Sequence, residues 1–172
     1  MLRENEAHLV ELSKQGDHKA YEKLYRANVG KIHALCMRLC GQKELAEDLT
    51  QESFIRAWQK LDSFRGDSAF GSWLYRLTSN VVIGHLRQQN KWKMDCFAEK
   101  HEATIGTASI HEERSDIEKI LMKLPDQARV VVILYEYLGY QHNEIAEITG
   151  MAVGTSKSQL HRAKQLLSRQ AA

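Results

Sequence analysis

The residues best placed to do chemistry lie between Phe64 and Arg87, in FRGDSAFGSWLYRLTSNVVIGHLR. Counting from Arg76, residues Asn80, Ile83 and Arg87 follow at offsets of 4, 7 and 11, so one side of a helix would combine cations with an amide. The loop just before it, Asp62 to Asp67, carries Phe64, Arg65 and Gly66. An aromatic ring, a cation and a flexible glycine beside a basic helix suit a pocket that stacks and hydrogen-bonds an unpaired base. The same spacing also describes an ordinary amphipathic helix whose outer face is solvated.

Such a face needs a core behind it. Ser68 is the expected N-cap, its hydroxyl taking an orphan backbone N–H, and Phe70, Trp73, Leu74, Leu77 and Val81 recur at helical spacing as the core stripe. Upstream, Leu9, Val10 and Leu12 predict a short first helix that stops near Gly16. Asp17 then caps a second helix, which carries Ala20, Leu24, Ile32, Leu35, Cys36 and Leu39 up to the terminator Gly41. A third runs from Lys43 to Leu61, with Leu45, Leu49, Phe54, Ala57, Trp58 and Leu61 inward. Its other side holds Glu44, Glu47, Asp48, Gln51 and Glu52, and an acidic helix surface is most often simply solvated.

Past Arg87 the periodicity decays, and the stretch ending near Glu113 reads as a linker. Lys91, Trp92 and Lys93 at its start either extend a basic face or form an exposed helix end. Order returns with Ser115 as an N-cap and Ile117, Ile120, Leu121 and Leu124 as a stripe ended by Pro125, the one proline in the chain. DQARVVVILYEYLG is apolar enough for a buried helix, and the chain offers no second strand-like run for VVVIL to pair with. HNEIAEITG, a turn at Gly150 and a last helix from Val153 to about Arg169 then have helix-turn-helix spacing, with Ile145, Ala146 and Ile148 inward on the first of the pair. On the last helix Val153, Ser156, Leu160, Ala163 and Leu167 share the inner face; Lys157, Ser158, His161, Arg162 and Gln165 share the outer one, where cations and a hydroxyl can meet base edges in a major groove.

Composition narrows the class. At 172 residues with 43% hydrophobic and 27% charged residues, the chain is globular and has room for one or two small domains. It contains no apolar run near the roughly 20 residues needed to span a bilayer. MLRENEAHLVELSKQGD mixes acids and bases where a secretory signal would be apolar, so a cytoplasmic protein is expected. A net charge of +2 excludes a general polyanion binder, but no Asp or Glu follows Glu147 while Lys157, Arg162, Lys164 and Arg169 do. His33, Cys36 and Cys40 fall at i, i+3 and i+7 and could gather three metal-capable groups. Small, apolar Cys packing beside Ile32, Leu35 and Leu39 is the simpler account, and no metal or other cofactor is expected. With Cys96 the three cysteines are an odd number without C-x-x-C pairing, which favours thiols over a disulfide framework.

From Ala20 to about Arg87 the blocks AYEKLYR, AEDLTQESFIRAW and FRGDSAFGSWLYRLTSN resemble region 2 of the extracytoplasmic-function sigma factors of bacterial RNA polymerase. LPDQARVVVILYEYLGYQHNEIAEITGMAVGTSKSQLHRAKQLL resembles their region 4. The resemblance implies an all-α chain of two small helical domains, residues 1–90 and 114–172, joined by a flexible linker over 91–113. It implies minus-10 DNA contacts from Phe64, Arg65, Arg76, Asn80, Ile83 and Arg87, and minus-35 contacts from Lys157, Ser158, Gln159, His161, Arg162 and Lys164. Glu47, Asp48, Gln51 and Glu52 would dock on the β′ clamp coiled coil of core RNA polymerase, with the β flap as a second polymerase contact. The implied partners are core polymerase, promoter DNA and a membrane-anchored anti-sigma factor that holds the protein at the inner membrane face; no catalytic residue and no small-molecule substrate is expected. Two positions depart from the family: Gln159 stands where many relatives carry Arg, and Ser156 where Val is usual. The competing functions are a stand-alone helix-turn-helix regulator, which would need a sensor half, and a metalloenzyme, which would need a base at a spacing such as H-E-x-x-H.

Overall fold

A computed structural model of the chain describes residues 2–89 and 116–171. Among these residues every regular element is helical. The order is α1 (Leu2–Lys14), α2 (His18–Cys40), α3 (Lys43–Gln59), a 3₁₀ turn (Leu61–Ser63), α4 (Phe70–Gln88), α5 (Asp116–Met122), α6 (Asp126–Val132), a π-helical turn (Ile133–Tyr137), α7 (His142–Thr149) and α8 (Val153–Ala171). The linker over 91–113, the Lys91–Trp92–Lys93 cluster, Cys96 and the Ser115 cap lie outside the described residues. By contacts the chain divides into two compact units, Met1–Met37 with Lys43–Val82, and Arg38–Gln42 with Ile83–Ala172.

Across α1 to α4 local chemistry sets the helix ends. Asp17 Oδ1 accepts the N–H groups of Lys19 and Ala20 at 2.9 and 3.1 Å, capping α2 as its sequence predicts. Gly41 breaks the chain after α2 at φ 73°, a backbone that L side chains rarely adopt. Behind these ends, Leu24, Ile32 and Leu35 of α2, Leu49 and Phe54 of α3, and Phe70 and Leu74 of α4 are almost fully buried. Trp58, half-buried on α3, is held between α2 rings, stacked on His18 at 5.0 Å and edge-on to Tyr21 at 4.8 Å. The Tyr21 hydroxyl donates to the Phe54 carbonyl at 2.6 Å, so one ring fastens α2 to α3 by both packing and a hydrogen bond. Cys36 and Cys40 are buried and His33 half-buried.

The start of α4 departs from expectation. The Ser68 hydroxyl points at the Ala69 carbonyl, 3.4 Å away, and caps nothing. The Phe70 N–H donates instead to the Glu6 carboxylate at 2.7 Å, so a residue of α1 caps α4 from 64 positions away. Local sequence cannot announce a cap that arrives from another helix.

In the second unit α6 and α7 both pack on α8. Ala128, Val130 and Val131 of α6, Leu134, Ile145 and Ala163 are fully buried there. The run read as one buried helix is α-helical only to Val132 and widens into the π turn, where Leu138 N–H reaches Ile133 O at 3.0 Å. Glu144 closes the start of α7 by accepting the Gln141 N–H at 2.7 Å, and Gly150 ends the helix at φ 76°. Val153, expected inward, begins α8 as an exposed residue, because at the first helical position no neighbouring turn covers it.

Candidate nucleic-acid interface

Two helices converge on a pocket of about 300 Å³ in the first unit. Arg56 reaches it from the last turn of α3, Lys60 from the residue just past that helix, Ser63 from the 3₁₀ turn, and Trp73, Arg76, Leu77, Asn80 and Val81 from α4. Trp73, Leu77 and Val81 were read as core; Val81 is buried, but all three also form the apolar wall of this pocket. Asn80 supplies a donor and an acceptor, Ser63 keeps its oxygen lone pairs because its hydroxyl donates to the Lys60 carbonyl at 2.6 Å, and three cations line the same pocket. An apolar wall for a ring face, an amide for a base edge and cations for phosphate can together hold an unpaired nucleotide. Arg56 is also paired with Glu52 at 2.6 Å, one turn earlier on α3.

Of the six residues assigned from sequence to this DNA face, the pocket gathers Arg76 and Asn80. Arg65 is exposed on the loop and Arg87 is exposed in the last turn of α4. Two assignments need correction. Ile83 is 0% exposed, because the inner face of α4 turns through Val82, Ile83 and Leu86 rather than continuing straight from Leu77. Phe64 is 7% exposed; its ring meets Phe70 edge-on at 5.8 Å and leans on Trp73 at 5.4 Å, so it supports the loop from beneath instead of offering a face to a base. Sequence reasoning missed Arg56, Lys60 and Ser63. The i, i+4 pair Arg56 and Lys60 at the end of α3 was the available signal, but its relation to α4 is tertiary.

The acidic side of α3 borders the pocket, since its Glu52 pairs with Arg56. Glu47, Asp48 and Gln51 are exposed and Glu52 is half-buried. Beside them Ile55 is 59% exposed, an apolar side chain in an acidic field that the sequence reading passed over.

In the second unit α8 presents Lys157, Ser158, His161 and Arg162 to solvent on one face. Gln165 donates to His161 Nε2 at 3.0 Å, and Ser158 donates to the Thr155 carbonyl at 2.9 Å, which leaves its oxygen lone pairs outward. Gln159 lies off this face, while Lys164, exposed and seven residues after Lys157, continues its row. The Gln159 amide is half-buried and donates to Gln127 at 3.3 Å, and Lys164 pairs with Glu136 of the π turn at 2.7 Å. That carboxylate raises the Lys164 ammonium above the usual lysine range, so its charge is secure. Ser156 is 0% exposed and shares a 2.9 Å hydrogen bond with His142 Nδ1, whose ring stacks on Tyr135 at 4.6 Å. The unusual hydroxyl on the inner face of α8 thus has a partner on α7 and links the two helices of the motif.

A helical unit with a base-sized pocket and a second with an exposed basic reading helix define a class of nucleic-acid-binding proteins. Comparison with known proteins makes the class specific. Residues 24–92 match the family Sigma-70 region 2, and residues 114–167 match Sigma-70, region 4. The ECF RNA polymerase sigma factor SigW of Bacillus subtilis is 30% identical over 91% of this chain and 91% of its own length. The ECF RNA polymerase sigma-E factor of Haemophilus influenzae is 32% identical over 92% of this chain and 91% of its own. Among solved structures, the sigma factor RpoE of Bartonella quintana, crystallised with the anti-sigma factor NepR, superposes with a TM-score of 0.54 at 27% identity and covers 88% of this chain and 96% of its own. The chain belongs to the ECF sigma factors of the sigma-70 family. The stand-alone regulator reading is not favoured, since its N-terminal half matches region 2 and not a sensor. Among the described residues no helix is long and apolar enough to cross a membrane, and no group of three His, Cys, Asp or Glu is disposed to hold a metal ion.

Proposed function

We propose that this sigma factor opens its promoters by capturing an unpaired minus-10 base in the pocket between α3 and α4, while α8 reads the minus-35 element as duplex DNA. The observation that carries this reading is the pocket itself, lined by Asn80 and Ser63, by Trp73, Leu77 and Val81, and by the cations Arg56, Lys60 and Arg76. Extruding a base costs a few kcal/mol, and a site that binds only the extruded form shifts the equilibrium toward the open promoter. The protein performs no bond change in this scheme and needs no catalytic group or cofactor. The acidic face of α3, with Asp48 and Gln51 exposed and Ile55 at its centre, is the proposed dock for the β′ clamp coiled coil; region 4 would meet the β flap.

The Bartonella relative is a complex with an anti-sigma factor, which supports control of this chain by a protein of that kind. Such an inhibitor would act in the cytoplasm, anchored in the membrane if it relays an external signal. Permanganate footprinting of holoenzyme reconstituted with this chain tests the central proposal. Unpaired thymines across the minus-10 element are expected with wild type and greatly diminished with Asn80→Ala; equal opening by the two proteins would sink it.

A further inference from the structure

We propose that α1 is a splint for the base-reading loop, with Glu6 and Lys14 as positioning residues for promoter opening. The proposal rests on the pocket reading above and deepens it. Helix α1 precedes the region 2 match, which begins at residue 24, and nothing in that match gives it a task.

Two polar bonds tie α1 to the two ends of the loop. The Lys14 ammonium donates to the Phe64 carbonyl at 3.0 Å, and the Glu6 carboxylate accepts the Phe70 N–H at 2.7 Å. Lys14 is itself steadied by Glu11 at 3.0 Å. Eight residues of α-helix separate Glu6 from Lys14, a span of about 12 Å, so α1 lies alongside the loop from one end to the other. Between these ties the fit is loose: a cleft of about 290 Å³ separates α1 from Gly66, Asp67, Ser68 and Ala69. Gly66 adopts φ 81° with no neighbour within 4 Å of where a Cβ would stand. The loop is therefore located by its end bonds and by the Phe64 ring, not by close packing along its length. Glu6 also determines where α4 begins, since Ser68 fails as a cap. The consequence reaches the pocket in one step, because Phe70 packs on Trp73 at 5.6 Å and Trp73 is part of the pocket wall.

The test uses the full chain in reconstituted holoenzyme, with Glu6→Ala, Glu6→Gln, Lys14→Met and, as reference, Asn80→Ala. Glu6→Ala is expected to lower open-complex formation on duplex promoters by about 3- to 30-fold, the range that loss of a helix cap spans. It should speed amide exchange at Phe70, weaken discrimination at the captured minus-10 base, and leave core-polymerase affinity and minus-35 duplex binding at wild-type values. Glu6→Gln, which keeps an acceptor oxygen, should restore most of the opening, and Lys14→Met should give a smaller deficit of the same pattern. A role confined to stability would lower all the functions together and would not change base discrimination. If Asn80→Ala impairs opening while both Glu6→Ala and Lys14→Met open and discriminate as wild type, the splint is wrong and the pocket stands. If Asn80→Ala opens normally, the pocket reading falls, and exchange at Phe70 decides the splint alone: acceleration in Glu6→Ala keeps it as the cap of α4, and wild-type exchange overturns it.

Discussion

The two surfaces proposed to face DNA are built on different principles. In the second unit the outer face of α8 is a single row, Lys157, Ser158, His161 and Arg162, and one helix supplies it all. In the first unit the pocket exists only because Arg56 and Lys60 at the end of α3 come to face Arg76 and Asn80 on α4 across a 3₁₀ turn. A duplex groove needs a protruding ridge, which one helix provides; an extruded base needs a concavity, which one helix cannot provide. The contrast predicts that single substitutions on α8 act locally and additively, while those around the pocket depend on one another.

The largest effect that would sharpen the contrast concerns neither DNA surface. Asp48→Lys with Gln51→Lys is expected to abolish holoenzyme formation on native gels, with helicity by circular dichroism unchanged. This pair is preferred to one that includes Glu52, because Glu52 holds Arg56 at the pocket and its reversal would disturb both surfaces at once. Persisting core binding would remove α3 as the polymerase dock. Next, Arg162→Ala should weaken binding to an isolated minus-35 duplex by about 1–3 kcal/mol if it reads guanine, with relaxed selectivity at that base. Asn80→Ala should leave the same duplex affinity untouched. Asn80→Ala should instead reduce run-off transcription from duplex promoters by about tenfold, the scale of one lost hydrogen bond in a desolvated site. That deficit should shrink on templates already melted across the minus-10 element. Equal deficits on both templates would mean that the two surfaces do not divide the work in this way.

Two smaller effects compare buried polar contacts in the two units. Tyr21→Phe should cost about 1 kcal/mol of stability through the lost bond to Phe54. Burial raises the Tyr21 phenol above its ordinary 10.0, an effect partly offset by the backbone N–H of Trp58. Its folded-state pKa exceeds the unfolded one, so its contribution is complete below pH 10 and is lost as pH climbs through the folded value. As pH rises from 10 toward that folded value, melting temperatures should fall more steeply for wild type than for Tyr21→Phe. In the second unit, a double-mutant cycle of Ser156→Val and His142→Ala should return a coupling of about 0.5–1.5 kcal/mol, the worth of one internal hydrogen bond. A coupling of zero would make the hydroxyl at this position incidental.

The helices were legible in the sequence because their apolar spacing and caps are local, as Asp17 before α2 and Gly150 after α7 show. The outer face of α8 was legible for the same reason: one period describes it. The pocket was half legible. Arg76 and Asn80 share the period of α4, but Arg56 and Lys60 lie in and just after another helix whose own period says nothing about α4. Phe64 and Ile83 were misassigned where tertiary packing overrules a helical wheel, Phe64 in a ring cluster and Ile83 on the buried side of α4. The Glu6 cap was invisible for the simplest reason, since no local pattern joins residues 64 positions apart.

The Glu52–Arg56 pair on α3 has a consequence for anyone who would splice sigma factors. One turn of helix carries both a member of the acidic outer face and a lining residue of the pocket, so on the roles proposed for these surfaces polymerase preference and promoter choice would be written in overlapping letters. A hybrid joined inside α3 would inherit a carboxylate from one parent and its guanidinium from the other, and the two traits would be retuned together. Junctions in the turn at Gly41 and Gln42, or beyond the end of α4, keep the pair in one parental block. They are the sites at which chimaeras are expected to carry both traits over together from one parent, with the pair intact.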